Sequence, residues 1–509
     1  MKRVIALTAL CAAAALPGGA AAQKSADTLR SAVTEPFVSL SPYLYPATEA
    51  SFINNTVFEN IIAYDERNTK FVPVLAKSWK RVDDKTLEFT LVENAKFHNG
   101  DKLTADDIVA SVNFAIDPAI KFRFKENHNW IASIEKTGPY TVRVRAKQQT
   151  ATDLMHFAFR IPIMDAKVMA GLEDKSEYGR RVTIGSGPNK VTSFDRNAGV
   201  ALERADSFTP DNVGRAPIGK LRVNFVPDRQ TQMAQLLTGG IDLMFNISPD
   251  DAKALGARPD VAITEIDSLT GLYMLIDSIG RSGKKELTDP RVRKAMLMAI
   301  DRKALVESVV PGGKIATLLN ALCFDVEDAC GYTTKPPAYD PEGARKLLAE
   351  AGYPQGFDMT LDTQLRASNI ATAISGMLRK VNIRAAINPM ETGVMFKKWQ
   401  DGEVQALINN APAGNWPDAS YLLGINFGSP QRDTVRDPII LDAIRDGAQT
   451  HDASRRKAIY QKAFDRMNEL ASHFPISSMP VAWAHTRDAH FRPNPLSPTR
   501  TLVSDIFWK

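Results

Sequence analysis

Seven histidines, at positions 98, 128, 156, 451, 473, 485 and 490, are the residues of this 509-residue chain best suited to hold a metal or move a proton. A helical zinc site needs two imidazoles four residues apart with a glutamate between them, because residues at that spacing share one helix face. No histidine pair has that spacing, and His485 and His490, five apart, do not stack on one helical face. Acyl transfer at a serine would need a G-x-S-x-G elbow; the stretch IGSGPNK holds Gly185, Ser186 and Gly187 at another spacing, and Pro188 suits a turn. A glycine-rich phosphate cradle followed by Lys-Ser or Lys-Thr is missing from the sequence. The acidic pairs Asp83-Asp84, Asp106-Asp107 and Asp250-Asp251 could act as acid and base, yet each is more simply a turn or a helix start. No metal and no cofactor is expected, and a hydrolase remains the disfavoured alternative.

Two cysteines offer different chemistry. Cys323 and Cys330 lie close together in LCFDVEDACGY with no histidine in the segment, which favours a local disulfide over a metal site. The chain opens with Lys2 and Arg3, an apolar run from Val4 to Leu16, the breakers Pro17 and Gly18, and small Ala20, Ala21 and Ala22. That order is a secretory signal with cleavage expected after Ala22, and the apolar run is short of the roughly 20 residues of a membrane span. Cys11 is not preceded by a lipobox, so a lipid anchor is not expected. Export places the protein in an oxidising compartment, which suits the disulfide. The formal charge of +5 falls by two when Lys2 and Arg3 leave, and basic residues are scattered among acidic ones, so nucleic acid is not an expected partner.

Positioning any site falls to alternating helices and strands without repeats or low-complexity tracts, a mixed α/β pattern. At roughly 150 residues per domain, residues 23–509 suggest two or three domains. The alternation of Leu87, Phe89 and Leu91, and a similar one over 140–147, predicts half-buried antiparallel strands. Between them TADDIVASVNFAI predicts a helix capped by Thr104 with Asp107 at its third position. DRQTQMAQLLTGG predicts a helix stopped by Gly239 and Gly240, with IDLMF as the strand that follows. Asp289-Pro290 and Asp340-Pro341 each open a helix, the second terminated near Gly352. A last amphipathic helix is expected over about 453–472, ended by Pro475, and a strand over 476–483.

In order along nearly the whole mature chain, VFENIIAYDE, FVPVLAKSW, KFHNGDKLTADDIVASVNFA, IGSGPNKVTSF, LLTGGIDL, LTDPRVRKAMLMAIDRKAL and YDPEGARKLLAEAGYPQGF resemble the extracellular solute-binding proteins of family 5. The resemblance implies a two-lobed α/β binding protein with an extra subdomain in the first lobe. It receives a small solute such as a peptide, opine or sugar in the periplasm for an inner-membrane ABC permease, acting as a monomer without catalysis. By similarity lobe I comprises 23–58, 180–268 and 478–509, the inserted subdomain 59–179, and lobe II 269–477. The hinge would run near Ser268, Thr270 and Tyr273, and near Pro475 to Val481. His98, in the FHNG motif, reads as a turn-stabilising hydrogen-bonder.

The family's ligand lies between the lobes, where lobe II supplies an aromatic-Pro-Asp-Pro segment preceded by an acidic residue. INNAPAGNWPDASYLL is the matching stretch, with Trp416 at the aromatic position, Ala419 in place of the second proline, and Asn415 where peptide-binding relatives carry the acid that pairs with the ligand's ammonium group. A carboxylate would bind ammonium roughly twice as strongly as a neutral acceptor, so Asn415 argues against a generic peptide amino terminus unless Asp418 takes the role. Asn409 and Asn410 suit neutral hydroxyl or amide groups. From lobe I, Tyr45, Ala47 and Thr48 fall where relatives place a ligand-facing segment, although Tyr43 and Tyr45 could instead pack on the lobe surface. A nickel or haem complex is the alternative ligand on the same fold; clustered histidines facing the cleft would favour it.

Overall fold

The run Thr270–Ile276, TGLYMLI, is apolar on both faces, and a strand of that kind must be covered on both sides. In the computed structural model, which describes residues 27–43, 48–65, 68–120, 122, 125–205, 218–412, 416–492 and 505–508, it lies inside a five-stranded sheet. The order is Ile383–Met390, Phe357–Gln364, Ala406–Pro412, Thr270–Ile276, His473–Ser478, with the first three parallel to one another. Val292, Met296, Leu348, Ile370 and Ile374 cover one face, while Met395, Trp399, Ile440, Tyr460 and Phe464 cover the other. Helices Pro290–Met298, Pro341–Glu350 and Pro438–Ala448 each begin with proline after an aspartate whose carboxylate accepts first-turn amides.

A second sheet has seven strands, in the order Val261–Ile266, Val481–Thr486, Leu243–Met244, Thr28–Val33, Lys220–Phe225, Gly199–Arg204, Asn189–Asp195. The helix Arg229–Leu237 turns through Gly239 and Gly240, but the strand after it is only Leu243–Met244. Asp242 is committed elsewhere: its carboxylate takes Arg30 Nη2 at 2.7 Å and Nε at 2.9 Å, and Arg30 Nη1 donates to Gly239 O at 2.5 Å. This buried pair ties the helix turn to the central strand.

A four-stranded antiparallel sheet, Ala76–Asp83, Thr86–Leu91, Thr141–Ala146, Ile131–Gly138, forms a separate layer against the helix Ala105–Ile116. Thr104 and Asp107 make the expected reciprocal cap. The FHNG and IGSG motifs meet: Gly185 N donates to His98 Nδ1 at 3.3 Å, and His98 Nε2 contacts Gly187 O at 2.8 Å. An imidazole accepting at one nitrogen and donating at the other is neutral, and burial moves its pKa down to about 4.

Near the C-terminus two expectations change. The long helix is Ala453–Leu470 and ends at Ala471, φ 48°, well ahead of Pro475. Arg293 supports that end by donating to Leu470 O from Nε at 3.0 Å and Nη2 at 2.8 Å. The single strand expected over 476–483 is two, His473–Ser478 and Val481–Thr486, interrupted at Met479 and Pro480. Pro480 has no amide to give a ladder, and at this point the chain changes sheets.

Candidate functional site

The chain passes between the seven-stranded and five-stranded sheets at Asp267–Leu269 and again at Met479–Pro480. These crossings are bonded to each other: Ser268 Oγ donates to Met479 O at 2.7 Å and accepts from Thr270 N at 3.1 Å, while Met479 N donates to Thr270 O at 2.9 Å. Thr317 secures them from the side, its Oγ1 donating to Asp267 at 2.7 Å and its amide to Ser478 Oγ at 2.8 Å. Tyr273, grouped with the hinge from sequence, is a correction. It sits within the strand Thr270–Ile276, wholly buried, where its hydroxyl accepts from Asn409 Nδ2 at 2.8 Å and Asn426 Nδ2 at 3.1 Å.

Open α/β sheets bind ligands beyond the carboxyl ends of their parallel strands. At that edge of the five-stranded sheet stand Gln364, Arg366, Asn409 and Asn410. Asn409 is buried and engaged by Tyr273 and by Gln364 Nε2 at 3.1 Å, so it braces the edge without presenting its amide. Asn410 Oδ1 accepts from Arg366 Nε at 3.2 Å. Arg366 is exposed to solvent, has protein on several sides that lowers its pKa through desolvation, and meets no carboxylate among the described residues. A guanidinium so placed can take an anionic or carbonyl-bearing group.

Trp416 projects from the five-stranded-sheet lobe into the core of the four-stranded-sheet subdomain, only 6% exposed. His156 lies edge-on at 4.6 Å between ring centroids, Phe159 at 6.4 Å, and the Arg160 guanidinium sits over the indole at 5.7 Å. A cation over an indole contributes about 0.5–2 kcal/mol depending on desolvation. His128, within electrostatic reach of His156 and Arg160, is buried, and burial moves its pKa down to about 4, whereas that of His156 falls well below the ordinary range. The Nδ1 atoms of both histidines and Nε1 of Trp130 are buried and have no hydrogen-bond partner among the described residues.

Asp418 has a different role from that of a ligand anchor. It is 1% exposed, paired with Arg456 through two guanidinium nitrogens, one Nη2–Oδ1 bond being 2.7 Å, and it accepts from Ser420 N at 2.9 Å. Ser420 Oγ in turn meets Trp416 Nε1 at 3.4 Å. With both carboxylate oxygens committed, Asp418 fixes the loop that presents Trp416. Asn415, Tyr45 and Ala47 lie outside the described residues, and Thr48 opens the helix Thr48–Val57 with its side chain outside the description. Tyr43 is buried, donates to Pro162 O at 3.0 Å and packs on Phe114, Phe122 and His128.

Arg160, His156 and Arg366 were missed from sequence. The signal available for Arg366 was its place two residues after a strand end; nothing local distinguishes His156, in the helix Asp153–Phe159, or Arg160, which follows that helix. Cys323 and Cys330 are bonded, with 5.8 Å between Cα atoms. Among the described residues no group of three or more His, Cys, Asp or Glu could hold a metal ion, and no helix is long and apolar enough to cross a membrane.

The profile of the bacterial extracellular solute-binding proteins, family 5 Middle, matches residues 70–433. A nickel-binding periplasmic protein of Escherichia coli (strain K12) is 23% identical over 462 residues, covering 86% of each chain. Di/tripeptide-binding protein 1 of Pseudomonas aeruginosa (strain UCBPP-PA14) is 26% identical, covering 86% of this chain and 87% of its own. Among solved structures, HbpA2 from Haemophilus parasuis superposes with a TM-score of 0.81 at 22% identity, covering 95% of this chain and 100% of its own.

Proposed function

From the premise that the chain belongs to the bacterial extracellular solute-binding proteins, family 5, we propose that it captures a small solute between two lobes and delivers it to an ABC permease in the inner membrane. The observation that carries this reading is the pair of bonded crossings beneath a tryptophan that reaches from one lobe into the other. Solute contacts from both sides become available together only when the lobes meet, so solute shifts the population toward closure. A micromolar solute supplies about 8 kcal/mol of standard free energy, enough for closure to cost a few and still leave useful affinity.

In this reading lobe I comprises 23–58, 180–268 and 478–509, with 59–179 inserted, and lobe II comprises 269–477; the sheet membership of the described strands supports the division. Arg366, Asn410 and Trp416 line the lobe II side, Arg160 and His156 the opposite side, and Tyr45, Ala47, Thr48 and Asn415 join them. The Arg160 guanidinium over the Trp416 indole, with Arg366 at the edge of the five-stranded sheet, suits a solute with an anionic or carbonyl end and a flat apolar part. The protein acts as a monomer in the periplasm after cleavage behind Ala22, and does no catalysis. Mass spectrometry of the compound that copurifies with the mature protein, then calorimetry with that compound, tests the reading; a cleft that retains and binds nothing overturns it.

One observation favours a second solute class. The Nδ1 atoms of His128 and His156, without a hydrogen-bond partner among the described residues and near Arg160 and Trp416, suit a metal complex that brings its own chelator, since the described residues do not form a metal site of their own. Elemental analysis of the same copurified material separates the two.

A further inference from the structure

We propose that Arg456 is a positioning residue for closure: it holds in register two contacts of the five-stranded-sheet lobe with the four-stranded-sheet subdomain, so that both form and break together. The inference rests on the two-lobed receptor reading and adds to it the side chain that makes closure a single event. One contact is a backbone bond, Ala151 N donating to Ala448 O at 2.8 Å. The other is the Trp416 indole, edge-on to His156 at 4.6 Å between ring centroids. On the subdomain side both belong to one short element, since His156 lies in the helix Asp153–Phe159 and Ala151 stands two residues before it. Buried Asp153 ties the start of that helix to the sheet by accepting from Arg81 Nη1 at 2.8 Å and Nη2 at 3.0 Å.

On the opposite side both contacts lead to Arg456, a buried residue of the helix Ala453–Leu470. Its Nε donates to Gly447 O at 3.1 Å, the carbonyl next to the one that receives Ala151. Its Nη2 donates to Asp418 Oδ1 at 2.7 Å and its Nη1 to Oδ2, and Asp418 fixes the segment that presents Trp416. Asp328 pairs that segment within the same lobe, its amide donating to Pro417 O and its carbonyl accepting from Ala419 N, each at 3.0 Å. A guanidinium is planar with its donors at fixed angles, so covalent geometry sets the spacing between the Gly447 carbonyl and the Asp418 carboxylate. Tyr460 backs the arrangement: the Arg456 guanidinium lies 5.0 Å from its ring centroid, and a Cβ at Gly447 would run into the same ring. Lysine, a single compact charge on a flexible stem, can hold Asp418 or the Gly447 carbonyl but does not fix the distance between them.

Hydrogen exchange of the full chain with no solute added tests this, read by mass spectrometry over 148–153 and 154–160 of the subdomain in wild type, Arg456→Lys and Arg466→Lys. Arg466 is the control, on the same helix but paired with Asp437 and Glu469 instead. Loss of a hydrogen bond to a charged group predicts roughly tenfold faster exchange over both subdomain segments in Arg456→Lys, although neither belongs to the lobe that carries the substitution. Arg466→Lys should leave both at wild-type rates, and the strands 86–91 and 270–276 should be unchanged in either variant. Acceleration of one segment alone, of neither, or of the strands as well overturns the proposal. Wild type in rising sub-denaturing urea gives a second reading that needs no variant: 148–153 and 416–421 should open with one free energy and one urea slope, below those of global unfolding, and separate openings overturn the coupling. Because no solute is used, a cleft that binds nothing overturns the receptor reading without altering either result.

Discussion

Trp416, packed across the lobes on His156 and Arg160, and Arg366, at the edge of the five-stranded sheet, offer two kinds of recognition, an aromatic ring and a guanidinium fork. Tryptophan and arginine dominate binding energies where they are well packed, because each combines large contact area with directional charge or π interaction. Trp416→Ala should weaken binding of the copurified solute by about thirtyfold, and Arg366→Ala should do so by tenfold or more if its anionic group meets the guanidinium, both read by calorimetry. Asp418→Asn should act indirectly: it leaves Arg456 without a counter-charge in a buried site and lowers stability by several kcal/mol, about 3–5 for a broken buried pair. The titratable residues predict a stability optimum. Burial moves the Glu59 and Glu327 carboxyls up to about 8, so the folded state holds protons that the unfolded chain releases, and stability is lost as pH rises from the ordinary carboxyl range through 8. Burial moves His98 and His128 down to about 4 and His473 to about 3, so their contribution is present above 6.5 and lost as pH falls through 4. The urea midpoint should peak near neutral pH and fall on both sides, and Glu327→Gln should flatten the alkaline limb and steepen the acid one, because the Glu327 contribution falls all the way from the ordinary carboxyl range to 8.

At the scale of elements, the disulfide loop, the Trp416 segment and the helix Ala453–Leu470 form one assembly through Asp328, Asp418 and Arg456. Closing a loop of this size stabilises by about 2–3 kcal/mol in the chain-entropy model. Reduction, or Cys323→Ser with Cys330→Ser, should lower the unfolding free energy by that amount and the urea midpoint with it, while leaving the far-ultraviolet spectrum unchanged; an unaltered midpoint counts against a stabilising bond. Helix starts were legible because Asp-Pro is a local device, with a carboxylate for the orphan amides and a ring already at helical φ. The short strand Leu243–Met244 was not, and the Arg30–Asp242 pair just before it joins residues more than two hundred apart in sequence.

For the molecule as a whole, the two crossings set the available motion. Ser268 contributes one side-chain bond to each crossing, so Ser268→Ala should lower stability by about 1 kcal/mol and loosen the pair. Saturation with the copurified solute should contract the protein in small-angle scattering and slow exchange near 266–271 and 478–481. Identical scattering and exchange with and without solute would sink the clamp mechanism.

Sequence by itself determined the α/β class, the caps, the apolar faces and, through ordered motifs, the family, because those features depend on neighbours a few residues apart. It also paired Cys323 with Cys330, which are only seven positions apart. Tertiary structure alone decided that Asp418 is held by Arg456, that Tyr273 belongs to a sheet interior, and that Trp416 rests on His156 of the other lobe. Those partners lie 38, 136 and 260 residues away or belong to another layer, and a side chain's role follows from which distant group neutralises or covers it.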